Sequence, residues 1–210
     1  MTRFSSEFRA GFEQLLRWRR DVRHFSAEPV DPALVRRLLD ACDLAPSVGL
    51  SQPWRFVLVE SVERRGRVAE NFCRANAAAL EGQSGERARL YAGLKLAGLD
   101  RAPVQIAVFS QSDPMQGHGL GRLTMPETVH YSTVMAVHTL WLCARAEGLG
   151  LGWVSILDPE PMTHDLVVPR DWRFVAYLCL GHPERETDIP ELERAGWERR
   201  SDPAPRILVR

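Results

Sequence analysis

An α+β fold follows from three observations on the 210-residue sequence. Helix-like and strand-like segments are mixed, without the regular alternation of a doubly wound parallel sheet. The strand-like segments number about four, enough for one sheet. None is followed by G-x-G-x-x-G, so a dinucleotide-binding fold lacks its fingerprint.

The elements can be justified in chain order. Phe8, Phe12, Leu15 and Leu16 recur at helical spacing and predict an amphipathic helix over 5–20. Asp31-Pro32 is a helix start, an N-cap acceptor followed by a pre-set φ. Leu34, Val35, Leu38, Leu39 and Cys42 form that helix's buried face, and Pro46 ends it. Trp54–Glu60 (WRFVLVE) predicts a strand bounded by Pro53. Residues 62–80 and about 85–99 predict two helices set apart by Gly82 and Gly85. Both are rich in alanine and arginine and poor in large apolar groups, which suits either a mobile cover or ordinary surface helices. Val104–Ser110 (VQIAVFS) is a second strand, and Ser112–Met125, glycine-bearing and aperiodic, is expected to be a loop. Tyr131–Ala146 is apolar on nearly every face and must be enclosed, in a chain this small with one side against a partner subunit. Gly148 and Gly150 end it. Leu151–Ile156 predicts a strand, Asp158-Pro159 caps a short helix, and Phe174–Gly181 is a buried strand. The tail from His182 carries four of the 14 prolines and many charges, and is expected to wrap a surface or a neighbour.

No composition break divides the chain, so residues 1–210 are expected to form a single domain around one core. Charge is balanced, 27 basic against 27 acidic side chains, which gives no electrostatic support to a nucleic-acid or membrane-surface role. No apolar run approaches the roughly 20 residues needed to span a bilayer. Met1–Phe12 is charged throughout and lacks the apolar centre of a signal peptide. Cys42, Cys73, Cys143 and Cys179 are scattered, which reads as reduced, mostly buried thiols of a cytoplasmic protein. His130 and His138 lie eight apart with no carboxylate or cysteine completing a ligand set, so no metal is expected.

Three segments could carry chemistry. Arg19, Arg20, Asp21, Val22 and Arg23 end the first helix, and guanidinium forks suit a phosphorylated ligand; a solvated, charge-dense helix end fits the same residues. Asp21 is the odd member, a carboxylate where an anion would sit. Ala45–Trp54 holds two prolines, Ser47, Gly49, Ser51 and Gln52, and reads either as a ligand-facing loop or as a plain helix-to-strand turn. In Gly148–Ser155 the glycines either relieve packing or let a flat ring lie on the backbone beside the Ser155 hydroxyl. No G-x-S-x-G elbow surrounds Ser155, which argues against a nucleophile.

Together R-R-D-V-R, A-P-S-V-G-x-x-Q-P-W-x-F-V-L-V, P-E-T-x-x-Y-S, A-R-A-E-G-x-G-x-G-W-V-S-I and L-C-L-G resemble the nitroreductase-like flavoprotein superfamily, over about Phe12 to Arg200. Asp21 is the sharper mark, because typical nitroreductases carry serine there. It points to the subgroup that fragments reduced FMN with dioxygen into 5,6-dimethylbenzimidazole and a four-carbon sugar phosphate, supplying the lower ligand of cobalamin. The alternative is an NAD(P)H-dependent FMN nitroreductase or quinone reductase. The resemblance implies a central, mostly antiparallel sheet flanked by helices, and a homodimer with shared FMN sites, the tail from about 182 to 210 packing on the partner. By position, Arg19, Arg20 and Arg23 would surround the ribityl phosphate, with Arg199 or Arg200 as a late contact. Pro46, Ser47 and Gly49 would lie along the isoalloxazine from the second subunit, Lys95 and Leu96 would approach as part of a lid, and Val154 would line the site. Asp21 and Ser155 would be the catalytic pair. The source of reduced flavin, a separate flavin reductase or NAD(P)H, stays open. Two features depart from the pattern: His24 replaces an acidic residue, and the tail after Arg200 is short.

Overall fold

The fold, described from a computed structural model over residues 3–93, 98–202 and 206–210, is a four-stranded antiparallel sheet between two helical layers. Its strands are β1 (Trp54–Leu58), β2 (Val104–Gln111), β3 (Gly150–Val154) and β4 (Trp172–Gly181), in the order β1-β2-β4-β3. The helices are α1 (Ser6–Trp18), α2 (Pro32–Ala41), α3 (Val62–Glu81), α4 (Gly85–Gly93), α5 (Gly98–Arg101), α6 (Thr128–Ala146), α7 (Met162–Asp165) and α8 (Glu191–Arg194).

Strand alternation builds both faces. Ile106 and Val108 of β2, with Ala176, Leu178 and Leu180 of β4, point into a core closed by α2 and α6. The intervening Ala107, Phe109, Tyr177 and Cys179 point the other way, against Phe25, Val68 of α3 and Met162 of α7. The helix starts use the chemistry the sequence offers: Asp31 accepts from Ala33 N–H at 2.8 Å, and Ser5 and Ser61 cap α1 and α3. Helix α6 stops at Gly148, whose φ of 77° lets the Gly148 and Leu149 N–H groups return to the carbonyls of Arg145 and Ala144.

Four expectations shift. The helix over 5–20 is shorter, and Phe8, Phe12 and Leu16 are exposed, so its apolar stripe faces away from the core of its own chain. The α2 helix ends at Ala41 in a 3-10 turn rather than running to Pro46. Asp158-Pro159 opens a turn, and α7 begins three residues later behind Pro161. Cys73 is exposed, unlike the buried Cys42 and Cys179, because its helix α3 keeps only Val68 and Asn71 fully inside. No described helix is long and apolar enough to cross a membrane.

Candidate active site

Asp21 is built into the edge of the sheet. Strand β3 pairs with β4 on one side only, and the chain at Asp21 and Val22 docks along its free edge as a parallel bridge to Leu151. Val22 N–H donates to the Leu151 carbonyl at 3.1 Å, and Trp153 N–H donates to Asp21 Oδ1 at 2.8 Å. The carboxylate thus takes an edge donor that a full strand would otherwise satisfy. Glycines make this approach possible: a Cβ at Gly150 would lie 2.7 Å from Val22 Cγ2, and one at Gly152 would collide with the Val22 carbonyl oxygen. Of the two readings of the Gly148–Ser155 glycines, this structure supplies a packing role, against the arginine-rich segment.

Asp21 Oδ2 lies 3.5 Å from Arg23 Nε. The side chain is 36% exposed, on the rim of a cleft of about 370 Å³ that it shares with Arg20, Arg23, Trp141, Leu151 and the tail from Pro183 to Glu191. Desolvation nonetheless dominates and raises its pKa above the ordinary 3.8; the Trp153 N–H and Arg23 pull it down, and Glu191 pushes it up. A carboxylate so placed is a stronger base than its arginine neighbours alone would allow. Ser155 follows the end of β3, exposed, two residues beyond the amide that holds Asp21.

The arginines form a cationic cluster with carboxylates beside it: Asp21 favours the charge on Arg19, Asp188 and Glu193 that on Arg20, and Asp21 pairs with Arg23. Arg19 stacks on Trp141, its Cζ 4.8 Å from the ring centroid, and does not line the cleft. Arg20 donates through Nη1 to the Arg19 carbonyl at 2.7 Å and through Nε and Nη2 to the Asp188 carbonyl. Burial lowers the pKa of both, and the charge of Arg200 lowers each further. Of the two tail arginines, Arg200 acts by its charge on both Arg19 and Arg20, and the Arg199 main-chain N–H donates to the Glu198 carboxylate.

The loop Pro46–Gly49 lies elsewhere. Val48 N–H donates to Ser132 Oγ near the start of α6, whereas Arg19 stacks on Trp141 towards its end. Nine residues of helix separate these anchors by about 13 Å. One chain does not bring the loop to the arginines. Ser47 Oγ is occupied by Gln52 N–H at 3.2 Å, and Gly49, at φ 57°, packs against Gly117 and Leu120. Pro46 is exposed. The Val154 side chain is buried in the core, so only its backbone can face a ligand. Lys95 and Leu96 lie outside the described residues. Sequence reasoning missed Trp141, which stacks on Arg19 and donates from Nε1 to the Arg20 carbonyl at 3.1 Å. It read that tryptophan only as core. No group of three metal-ligating side chains occurs among the described residues.

An α+β fold with a carboxylate set among arginines at a sheet edge defines the class, and the chain belongs to the nitroreductase family, whose model matches residues 16–182. It is 59% identical over 197 residues to the 5,6-dimethylbenzimidazole synthase of Rhodospirillum rubrum, covering 94% of this chain and 93% of that one. A 5,6-dimethylbenzimidazole synthase of Rhodobacter capsulatus is 53% identical over 195 residues, covering 93% and 94%. Among solved structures, oxidized iodotyrosine deiodinase bound to FMN and 3-iodo-L-tyrosine superposes with a TM-score of 0.73 at 22% identity, over 94% of this chain and 97% of that one.

Proposed function

We propose that this protein is a 5,6-dimethylbenzimidazole synthase, cleaving reduced FMN with dioxygen to 5,6-dimethylbenzimidazole and a four-carbon sugar phosphate. The observation that carries the reading is Asp21, held by Trp153 N–H among arginines, in a chain more than half identical over nearly its whole length to two enzymes of that name.

The residues fit the substrate. Arg19, Arg20 and Arg200 repel one another, and a phosphate dianion relieves that repulsion. Arg23, tied to Asp21, adds a fourth charge at the rim. Reduced FMN supplies the ring that becomes the product and the electrons that dioxygen accepts. The chain supplies position and proton transfer. Asp21, its pKa raised and one oxygen fixed by the Trp153 N–H, would accept a proton from the sugar chain, a contribution of about 10² to 10⁴ in rate. The Ser155 hydroxyl, exposed beyond β3, would donate a hydrogen bond to the ring.

The site is completed by a second copy of the chain. Tyr131, Val134 and Met135 form an exposed apolar stripe on α6, and Phe8, Phe12 and Leu16 form another on α1, extended by Phe4 stacked on Phe8 just before the helix. Surfaces of this kind mark an interface. Across it the loop Pro46–Gly49 of the partner faces the arginine cluster.

The test is direct. Protein mixed with photoreduced FMN and then exposed to air yields 5,6-dimethylbenzimidazole by mass spectrometry, while Asp21→Asn binds FMN and forms none. Steady NAD(P)H oxidation with a nitroaromatic acceptor, FMN being recovered intact, contradicts the reading and marks a nitroreductase.

A further inference from the structure

Residues 116–121, which the chemistry above leaves unused, lie directly on the loop proposed to face the flavin ring. A Cβ at Gly117 would stand 2.6 Å from the Gly49 carbonyl oxygen, and one at Gly121 would stand 2.9 Å from Val48 Cγ2. The two segments approach this closely because glycine leaves the space. Gln116 makes the polar tie between them. Its Nε2 donates to the Leu50 carbonyl at 2.7 Å and to Gln52 Oε1 at 2.9 Å, so both amide hydrogens are engaged by one loop. Arg122 braces the segment from its far end, pairing with Asp113 and donating to the Pro114 carbonyl at 3.1 Å.

The held loop is strained. Gly49, Leu50 and Gln52 have φ of 57°, 56° and 41°, in the left-handed region that disfavours any side chain, and Gln52 adopts it although Pro53 follows. Such a path persists only where its surroundings over-determine it. Ser132 of α6 holds the start of the loop by accepting from Val48 N–H at 3.0 Å, and Arg55 donates to the Gln52 carbonyl at 3.0 Å. The Leu50 carbonyl and the Gln52 side chain between them are left to Gln116.

We propose that Gln116 is a positioning residue for flavin fragmentation: by clamping Leu50 and Gln52 it sets the path on which Pro46, Ser47 and Gly49 face the flavin of the second copy. The inference rests on the FMN and dimer reading above and adds a residue which that reading does not contain. Gln116 does not line the cleft of Asp21, so it acts through the loop alone. Misplacing a surface against a reacting group by about 1 Å can cost about 10² in rate. A loosened loop also stops excluding side reactions. The competing outcome here is simple oxidation, in which reduced FMN and dioxygen return oxidized FMN and hydrogen peroxide.

Gln116→Glu is the sharp variant, because it keeps length and shape while setting an acceptor against two acceptors. Gln116 is exposed, so the change leaves the core intact. Amide exchange of residues 47–52, read by mass spectrometry without ligand, is about tenfold faster in Gln116→Glu than in the unaltered protein. In a single turnover with reduced FMN and air, benzimidazole formed per FMN supplied falls at least about fivefold, and oxidized FMN and hydrogen peroxide take its place. FMN affinity by fluorescence titration stays within about threefold, since the arginines are untouched. Gln116→Lys, which can again donate to both oxygens, restores most of the yield and of the protection. Met115→Ala, next in the chain and outside the clamp, changes neither. Unaltered exchange and unaltered partition in Gln116→Glu overturn the clamp and leave the functional reading standing. Faster exchange with unaltered partition overturns the positioning role. Intact recovery of FMN from the unaltered protein overturns the functional reading and the positioning role with it, and the exchange comparison still decides whether Gln116 holds the loop.

Discussion

At Asp21 two demands meet that pull its pKa in opposite directions. The neighbouring Arg23 favours the carboxylate, yet desolvation outweighs it and leaves the folded-state pKa raised. The folded protein therefore holds this proton more tightly than the unfolded chain does. Stability falls as pH rises through the interval between the two values, and above it the charged group is a net cost. Asp21→Asn keeps an oxygen for the Trp153 N–H and removes that cost. Its melting temperature should exceed that of the unaltered protein at pH 7, and the gain should vanish below about pH 4. Product formation should fall by at least about 10², the scale of a lost general base. An unchanged melting difference between pH 4 and pH 7 would show that Asp21 is not desolvated. The cysteines give a second residue-scale prediction. Burial pushes the Cys42 and Cys179 thiols up to about 12, while Cys73 is exposed. A thiol reagent at pH 8 should modify Cys73 within minutes and reach Cys42 and Cys179 only on unfolding. The arginine cluster and Asp21 could be read from five letters, because their chemistry is dense and local. Arg199 and Arg200 could not be told apart in the sequence, because adjacent arginines carry the same chemistry; in the fold it is the charge of Arg200 that acts on Arg19 and Arg20.

At the scale of elements, period and punctuation carried far. All four strands and the long helices lie where alternation, the Asp31-Pro32 cap and Gly148 place them. The docking of Asp21–Val22 on β3 was not visible, because a two-residue bridge has no periodicity. The glycine alternation Gly150-x-Gly152 was its trace, legible only once Val22 was known to lie across it. A Cβ at position 152 must push Val22 away, and with it the carboxylate held by Trp153 N–H. Gly152→Ala should cost about 1–3 kcal/mol in denaturant unfolding, in the range of an overpacked core. It should also lower product formation without removing FMN binding. Gly148→Ala is the control: it meets no atom within 4 Å, and its penalty is conformational, about 1 kcal/mol, with product formation preserved.

For the whole molecule, the apolar character of α6 is met only in part within one chain. Val129, Ala136, Val137, Leu140 and Ala144 are buried within the chain, while Tyr131, Val134 and Met135 stay exposed. The loop Pro46–Gly49 and the arginines sit toward opposite ends of this helix. Both facts fit a homodimer in which each site draws on two chains. Met135→Glu, a charge placed on the exposed stripe, should shift the sedimenting species toward monomer and weaken FMN binding by at least about tenfold; dimer loss with binding intact would separate the site from the interface. The most direct measurement of the central claim is a single turnover with limiting ligand. Protein in excess over anaerobically reduced FMN is mixed with air-saturated buffer, and flavin and benzimidazole are quantified together. The account predicts close to one 5,6-dimethylbenzimidazole formed for each FMN lost, with none from Asp21→Asn. Quantitative recovery of oxidized FMN from the unaltered protein, with hydrogen peroxide as the only other product, would contradict it.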